Sequence, residues 1–272
     1  KTAYEISLGL VGSEMCIRDS IKGDPEVEKA LYFNAFHLLQ LGDENSEYAM
    51  IPARGLHGVG YRGHIFWDAD IYTIPFYTLV NPVIARKMLI YRYKLLNTAR
   101  KIARERGFRG AMYPWEAADE EGDVTPERVP LDLGWRKWLE IWTGEEEQHI
   151  TADIAYAVDL YYQYTLDNDF MEKHGLEIIF ETARFWASRV EYDENKRKYV
   201  IRGVIGPDEY HVHVDNSFYT NLMAKWNLLL GVKYYTLALK NSRWGSVISV
   251  SYTHLRAHET EGDLVCRLLL EN

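Results

Sequence analysis

Two adjacent carboxylates, Asp208 and Glu209, stand in the stretch of this sequence best suited to acid–base chemistry. They lie in the hexapeptide GPDEYH, residues 206–211, and Tyr210 and His211 follow them directly. Because proline fixes the backbone torsion φ and lacks an N–H, the Gly-Pro opening predicts a turn rather than a helix interior. Loops held by a rigid scaffold often carry catalytic groups. By itself the hexapeptide is more typical of a solvated acidic turn, so the rest of the chain has to decide its role.

The composition is that of an ordinary globular protein, and it argues against several function classes. The 272 residues are 47% hydrophobic and 26% charged, and the formal net charge is −9. An acidic chain has no surplus of Lys and Arg to displace counterions from phosphates, so we expect no nucleic-acid partner. No run of about 18 apolar residues predicts a membrane span, and no signal-peptide pattern opens the sequence. We therefore expect a cytoplasmic protein without a membrane partner.

The two ends of the chain differ in character from its middle. Residues 1–20 and 246–272 show no helical or strand period, and they resemble translated adaptor sequence rather than part of a domain. Both cysteines, Cys16 and Cys266, lie in these ends. We therefore expect one domain over residues 21–245, with no cysteine and no disulfide bond.

Hydrophobic periodicity predicts a mainly α protein with a minor β-hairpin. Asp24 before a proline predicts the first helix start, because Asp is a good N-cap and proline suits the first helical position. Asn81 before a proline predicts a long helix that ends at Gly107. Thr143 and Glu146 have the spacing of a capping box. The predicted helices cover roughly residues 24–42, 66–75, 81–107, 143–164, 176–192 and 216–239, with the hairpin just before residue 202.

Five sequence blocks, in their order along the chain, resemble glycoside hydrolase family 65. The blocks are RGLHGVGYRGHIFWDADIY, GAMYPWEAA, TGEEEQHITADIAYAV, TARFWASRVEYD and GVIGPDEYHVHVDNSFYTNLMA, and the resemblance covers residues 28–235. That family includes maltose, kojibiose, nigerose and trehalose phosphorylases, together with a few hydrolases. The resemblance implies that residues 21–245 form a partial (α/α)6 toroid, the catalytic domain of the family, and that the full-length protein is a homodimer.

The resemblance also implies a reaction and the residues that carry it. The reaction is inverting phosphorolysis of an α-linked glucosyl disaccharide, which gives β-glucose 1-phosphate and a free sugar. The family's general acid, in its GPDEY block, falls on Glu209. Its FWD and PWE blocks line the sugar pocket, which implies a substrate-binding role for Trp67, Asp68, Trp115 and Glu116. Disaccharide and phosphate are then the partners, inorganic phosphate is a co-substrate, and no cofactor is expected.

The chemistry of such a phosphorylase makes a specific demand on Glu209. An inverting hydrolase needs a carboxyl acid and a carboxylate base, whereas phosphate is already an anionic nucleophile and needs no base. The acid must be protonated near neutral pH, which requires a pKa raised by burial or by a neighbouring negative charge. Asp208 and the incoming phosphate are candidates for that charge. The family's phosphate ligands lie downstream of the GPDEY block, so we expect the phosphate-binding residues beyond this chain.

Two other functions stay open from the sequence. The first is hydrolysis by a family-65 enzyme, such as a trehalase-like α-glucosidase, which would need a second carboxylate as its base. The second is a non-catalytic helical module that binds sugar or acts as a scaffold, in which case the FWD, PWE and GPDEY blocks would share no pocket. His149 has a glutamate three residues before it, but no second histidine follows one turn on, so we expect no metal site. His211 and His213 are candidates to tune Glu209 or to contact sugar.

Overall fold

Helices make up most of the described chain, as the sequence predicted. A computed structural model describes residues 23–45, 50–55, 60–118, 122–132, 134–245 and 247. The predicted end segments, residues 1–20 and 246–272, lie outside the described residues apart from Val247. The division of the chain at residues 20 and 245 therefore stays a prediction.

The secondary structure of the described residues consists of α-helices joined by short helical turns and three small hairpins. The helices are α1 (Pro25–Leu39), α2 (Ile74–Val80), α3 (Pro82–Lys94), α4 (Leu96–Glu105), α5 (Thr143–Glu146), α6 (Ile150–Thr165), α7 (Asn168–Phe170), α8 (Leu176–Arg189) and α9 (Phe218–Lys240). A 3-10 turn spans Gly60–Gly63, and π-helical turns span Ala69–Thr73 and Met171–Gly175. Antiparallel hairpins pair β1 (Ala117–Ala118) with β2 (Gly122–Asp123), β3 (Arg128–Pro130) with β4 (Trp138–Glu140), and β5 (Glu191–Asp193) with β6 (Lys198–Val200). Of the described helices, none is both long and apolar enough to cross a membrane.

Helix α6 lies in the middle of the core and is buried on nearly every side. It packs against α2, α3, α8 and α9. Ile154, Ala155, Ala157 and Val158 are all inaccessible to solvent and belong to the hydrophobic core. A helix that is apolar around most of its circumference has to be enclosed by other elements. The turn immediately before α6 is therefore attached to the buried centre of the fold.

Three predicted helix boundaries were wrong, each for a local reason. The helix predicted over residues 66–75 does not end at Pro75: the π-helical turn Ala69–Thr73 leads directly into α2, which runs from Ile74 to Val80 and tolerates the proline because it lies in the first turn of that helix. The long helix predicted over residues 81–107 is divided at Leu95, where α3 ends and α4 begins. The predicted capping box does not form, since Trp142 occupies the N-cap position of α5 and the hydroxyl of Thr143 has no hydrogen-bond partner.

Two helices leave large apolar side chains in solvent. On α1, which buries none of its residues, Phe33 and Phe36 are each 62% exposed. On α9, Phe218 is 82% exposed, and several leucines along the same helix are about half exposed. Large apolar side chains exposed in this way favour association.

We therefore expect the 272-residue chain to be poorly soluble or to self-associate. Replacing Phe33 and Phe36 together by Ser should weaken the association, because it removes apolar surface without touching the core. Sedimentation velocity over a range of protein concentrations measures the effect. The matched control is Tyr210→Ser, which alters a 92%-exposed aromatic residue outside the helices. A chain that stays monomeric at every concentration would contradict this expectation.

Candidate active site

The GPDEYH loop is fastened to the turn that precedes helix α6. The backbone N of Ile205 donates to the backbone O of Glu146 at 2.9 Å, and the backbone N of His213 donates to the Glu146 carboxylate at 2.8 Å. The ring of His213 also hydrogen-bonds to this carboxylate. A backbone bridge between Val204 and Val214 closes the base of the loop. Hydrogen bonds thus hold the loop at the residues before and after its tip.

Glu209 lies at the tip of this loop in a left-handed backbone conformation, with φ of 55°. Its backbone N donates to the carbonyl O of Gly206 at 3.2 Å and closes the turn. A residue other than glycine keeps positive φ only where its surroundings impose that conformation, and such positions are common at functional sites. The exposed carboxylate of Glu209 accepts a hydrogen bond from Nε1 of Trp115 at 3.2 Å. Two blocks that lie 94 positions apart in sequence therefore meet at the predicted acid.

The FWD and PWE blocks form one structural unit. Ile65 and Ala117 exchange two backbone hydrogen bonds, of 2.8 and 2.9 Å. The ring of Phe66 meets the ring of Trp115 edge-on, with centroids 5.0 Å apart. Trp115 in turn contacts Glu209, so all three blocks are connected by direct contacts. The three blocks therefore meet in one region of the fold, which the non-catalytic alternative did not predict.

The other predicted sugar-binding residues have different surroundings. Glu116 is largely buried, with Oε1 2.6 Å from Nδ1 of His64. Trp67 is buried, and its ring meets the ring of His149 at right angles with centroids 5.0 Å apart. Asp68 is exposed, and its side chain makes no hydrogen bond or ion pair with any other described residue. Trp115 thus reaches Glu209 directly, Trp67 and Glu116 belong to the same unit, and Asp68 faces solvent.

A buried ion pair supports the FWD segment from behind. The guanidinium of Arg92 donates from Nε to Asp70 Oδ1 at 3.1 Å and from Nη2 to Asp70 Oδ2, and both side chains are inaccessible to solvent. The same guanidinium donates to the carbonyl O of Phe66 at 3.2 Å. Burial raises the pKa of Asp70, while the positive charge of Arg92 opposes that rise. The pair therefore fixes the backbone that carries Trp67 and Asp68.

Behind Trp67 lies a chain of buried polar side chains that the sequence analysis missed. The ring Nδ1 of His149 is 2.6 Å from Asp153 Oδ2, and Tyr219 OH donates to Asp153 Oδ1 at 2.9 Å. On the other side of the ring, Nε2 of His149 lies 3.3 Å from Oε1 of Glu147. The four-residue spacing of His149 and Asp153 on one helical face was the available signal, but the sequence analysis tested His149 only as a metal ligand.

The pKa values of these buried side chains are set by burial and by the charges of their neighbours. Burial alone would lower the pKa of His149, but hydrogen bonds and charge interactions with Asp153 and Glu147 outweigh it and raise the pKa to about 9. Burial raises the pKa of Glu147 to about 7, although His149 opposes the rise. Among the described residues, no group of three or more His, Cys, Asp or Glu side chains is arranged to hold a metal ion.

Asp208, the predicted source of negative charge beside Glu209, has a partner of its own. The ring Nδ1 of His211 lies 2.7 Å from Asp208 Oδ2. The hydrogen bond from His211 lowers the pKa of Asp208. Asp208 therefore has His211 as its hydrogen-bond partner, and its influence on Glu209 stays a prediction.

A cavity of 330 Å³ lies apart from these residues. Its lining consists of Pro82, Val83, Arg86, Tyr161, Thr165 and Asp167. Two of these lining residues, Arg86 and Asp167, form an ion pair, with Nε and Oδ2 2.9 Å apart. None of the lining residues belongs to the predicted site.

Comparison with known proteins points to one family. A family-wide sequence profile described as the glycosyl hydrolase family 65 central catalytic domain matches residues 32–260. The kojibiose phosphorylase of Thermoanaerobacter brockii is 50% identical over 214 residues, which are 79% of this chain and 27% of that protein. The α,α-trehalose phosphorylase of Geobacillus stearothermophilus is 42% identical over 214 residues, 78% of this chain and 26% of the relative.

A hydrolase and a solved structure also match. The kojibiose hydrolase of Flavobacterium johnsoniae is 38% identical over 208 residues, 76% of this chain and 28% of the relative. A solved structure titled as a putative kojibiose phosphorylase from the human microbiome matches with a TM-score of 0.63 and 30% identity, over 74% of this chain and 25% of that one. The chain thus spans about a quarter of the length of the curated relatives that it matches.

Proposed function

Because this chain belongs to glycoside hydrolase family 65, we propose that it carries the acid half of the active site of an inverting disaccharide phosphorylase. The substrate is an α-linked glucosyl disaccharide, and the products are β-glucose 1-phosphate and a free sugar. Glu209 protonates the oxygen of the leaving sugar while phosphate attacks the anomeric carbon from the opposite face. The hydrogen bond from Trp115 to Glu209 is the observation that best supports this proposal, since it joins two of the family's blocks at the acid.

The hydrogen bond from Trp115 also gives the two carboxyl oxygens of Glu209 different roles. An indole N–H can only donate, so Oε1 of Glu209 has to accept. The acidic proton is then carried on Oε2, the oxygen available to the leaving group. After proton transfer, the same donor stabilises the carboxylate that remains, because hydrogen bonds to a carboxylate favour its charged form.

The remaining predicted residues bind the glucosyl unit in this proposal. Asp68 is exposed and its carboxylate can accept hydrogen bonds from sugar hydroxyls. Glu116 can do the same while His64 orients it from behind. Trp67 and Trp115 contribute apolar surface to the wall of the site. Inorganic phosphate is the co-substrate, no cofactor takes part, and no described residue is assigned to phosphate. The homodimer and the cytoplasmic location stay predictions from the sequence.

The choice between phosphate and water is tested with the complete reading frame that contains this chain. We expect release of glucose 1-phosphate from kojibiose or trehalose only when phosphate is present, because the proposed mechanism supplies no base to activate water. Product analysis by ion chromatography, with and without phosphate, measures this. Glucose released at the same rate without phosphate would favour the hydrolase, the activity named for the Flavobacterium johnsoniae relative.

The roles of individual residues are tested in a chimera. This chain's segment replaces the aligned 214 residues of the Thermoanaerobacter brockii kojibiose phosphorylase, which supplies the rest of that enzyme. The parent enzyme is the control for folding and for activity. A folded chimera with no phosphorolysis would count against the proposed function.

A further inference from the structure

The acid loop, residues 204–214, contains backbone conformations that are unfavourable for the residues that adopt them. Glu209 and His213 have positive φ, of 55° and 57°, and so does Asn216 just after the loop, with 58°. Residues other than glycine rarely keep this conformation unless other contacts impose it. Asn216 is held by Ile201, whose backbone N donates to the side-chain oxygen of Asn216 at 3.2 Å. The contacts that hold His213 come from another part of the chain.

Glu146, the last residue of α5, binds the acid loop on both sides of its tip. Its carboxylate accepts from the backbone N of His213 at 2.8 Å and also hydrogen-bonds to the ring of His213. Its backbone carbonyl O accepts from the backbone N of Ile205 at 2.9 Å. Ile205 and His213 lie four residues before and four residues after Glu209. The two ends of the segment that carries the acid therefore meet at one residue.

The surroundings of Glu146 protect these hydrogen bonds. Its side chain is 12% exposed, so water competes little for the carboxylate. The ring of Trp142, in the same turn of the chain, meets the ring of His213 edge-on, with centroids 4.9 Å apart. His213 is thus bound through its backbone and its ring, a role that the sequence analysis did not consider for it.

A buried guanidinium fixes the turn that carries Glu146. Arg189, at the end of α8, donates from Nε to Oε1 of Gln148 at 2.7 Å and from Nη2 to the carbonyl O of Arg202. Gln148 lies two residues after Glu146, and Arg202 lies two residues before the acid loop. Arg189 therefore joins the turn to the start of the loop, so that Glu146 and the loop are connected by two separate sets of contacts.

We propose that Glu146 is a positioning residue for the general acid. By binding Ile205 and His213 together, it sets where the carboxyl group of Glu209 stands relative to the leaving sugar. This inference rests on the proposed function of Glu209. Proton transfer requires the acid to lie within about 2.6–3.2 Å of the oxygen that it protonates. A displacement of the loop by about 1 Å is therefore enough to slow the reaction.

Glu146→Ala in the chimera tests the effect on the acid. It removes the carboxylate from His213 and leaves the backbone contact with Ile205, so the loop should loosen while the core stays intact. We expect kcat for kojibiose phosphorolysis to fall by about 10–100-fold with little change in KM. Turnover of α-glucosyl fluoride should fall much less, because fluoride leaves with little need of a proton. Glu145→Ala is the matched control, since Glu145 is exposed in the same turn.

The conservative variant Glu146→Gln separates the hydrogen bonds of Glu146 from its charge. Gln offers an oxygen to the backbone N of His213 and an NH2 group to the neutral ring, so it should retain most of the activity that Glu146→Ala loses. Unchanged turnover of kojibiose by Glu146→Ala would overturn the proposal. Equal losses with kojibiose and with α-glucosyl fluoride would also overturn it, because they would show general damage to the site rather than a displaced acid.

Hydrogen exchange in the 272-residue chain tests the contact without any activity. The backbone N–H of His213 is followed by NMR with ¹⁵N-labelled histidine and is assigned by its loss in His213→Asn, because Asn tolerates positive φ. We expect this N–H to exchange several-fold faster in Glu146→Ala and at an unchanged rate in Glu145→Ala. An unchanged rate in Glu146→Ala would overturn the proposed contact, whatever the chimera does. Faster exchange together with full activity of Glu209→Gln on kojibiose would instead overturn the proposed function of Glu209, and the contact would stand.

Discussion

Replacing Glu209 by Gln in the chimera is expected to lower kcat/KM for kojibiose phosphorolysis by about 10²–10⁴-fold. Gln has the shape of Glu but cannot give a proton to the leaving sugar, and a sugar alkoxide is a poor leaving group. Trp115 can still donate to the amide oxygen, so the loop should keep its structure. The loss should fall on kcat, because the substrate-binding residues are unchanged. Steady-state release of glucose 1-phosphate measures it.

A substrate with a good leaving group separates the loss of acid catalysis from a general loss of function. α-Glucosyl fluoride needs little protonation of its leaving group, so Glu209→Gln should reduce its turnover much less than that of kojibiose. The matched control is Glu194→Gln, which alters an exposed carboxylate in the turn before β6 and should leave both activities unchanged. Near-normal turnover of kojibiose by Glu209→Gln would show that another group is the acid.

Replacing Asp70 by Asn is expected to lower the free energy of unfolding of this chain by about 3–5 kcal/mol. The substitution leaves the guanidinium of Arg92 buried with its positive charge uncompensated, and a single buried charge is far more costly than a pair. The same guanidinium holds the carbonyl of Phe66, so the FWD segment should loosen as well. Urea unfolding, followed by circular dichroism at low protein concentration, measures the loss.

Two variants separate the effect of the buried charge from the effect of a changed side chain. Asp68→Asn makes the same substitution two residues away at an exposed position, and it should change the free energy of unfolding by less than about 0.5 kcal/mol. The double variant of Asp70→Leu with Arg92→Met removes both charges and should be more stable than Asp70→Asn. Equal stability of Asp70→Asn and the original chain would mean that Arg92 does not depend on Asp70 for its charge balance.

Local signals were sufficient for much of the fold. Asp24 before a proline predicted the start of α1, and its side chain accepts from the backbone N of Glu26 as an N-cap should. The capping box predicted at Thr143 failed, because the 143–147 segment is occupied by contacts with the acid loop and with the ring of His149. Sequence patterns describe the structure that a segment favours in isolation, whereas Glu146 in this segment forms hydrogen bonds with Ile205 and His213, which lie far along the sequence.

By itself, the sequence determined that this is a mainly α chain of family 65 with Glu209 as its candidate acid, because periodicity, N-caps and the order of the five blocks can all be recognised along the chain. Only the tertiary structure decided which side chains meet that acid. The contact between Trp115 and Glu209 spans 94 positions, and the one between Tyr219 and Asp153 spans 66. Such contacts depend on how the neighbouring helices pack around α6, and no short stretch of sequence contains that information.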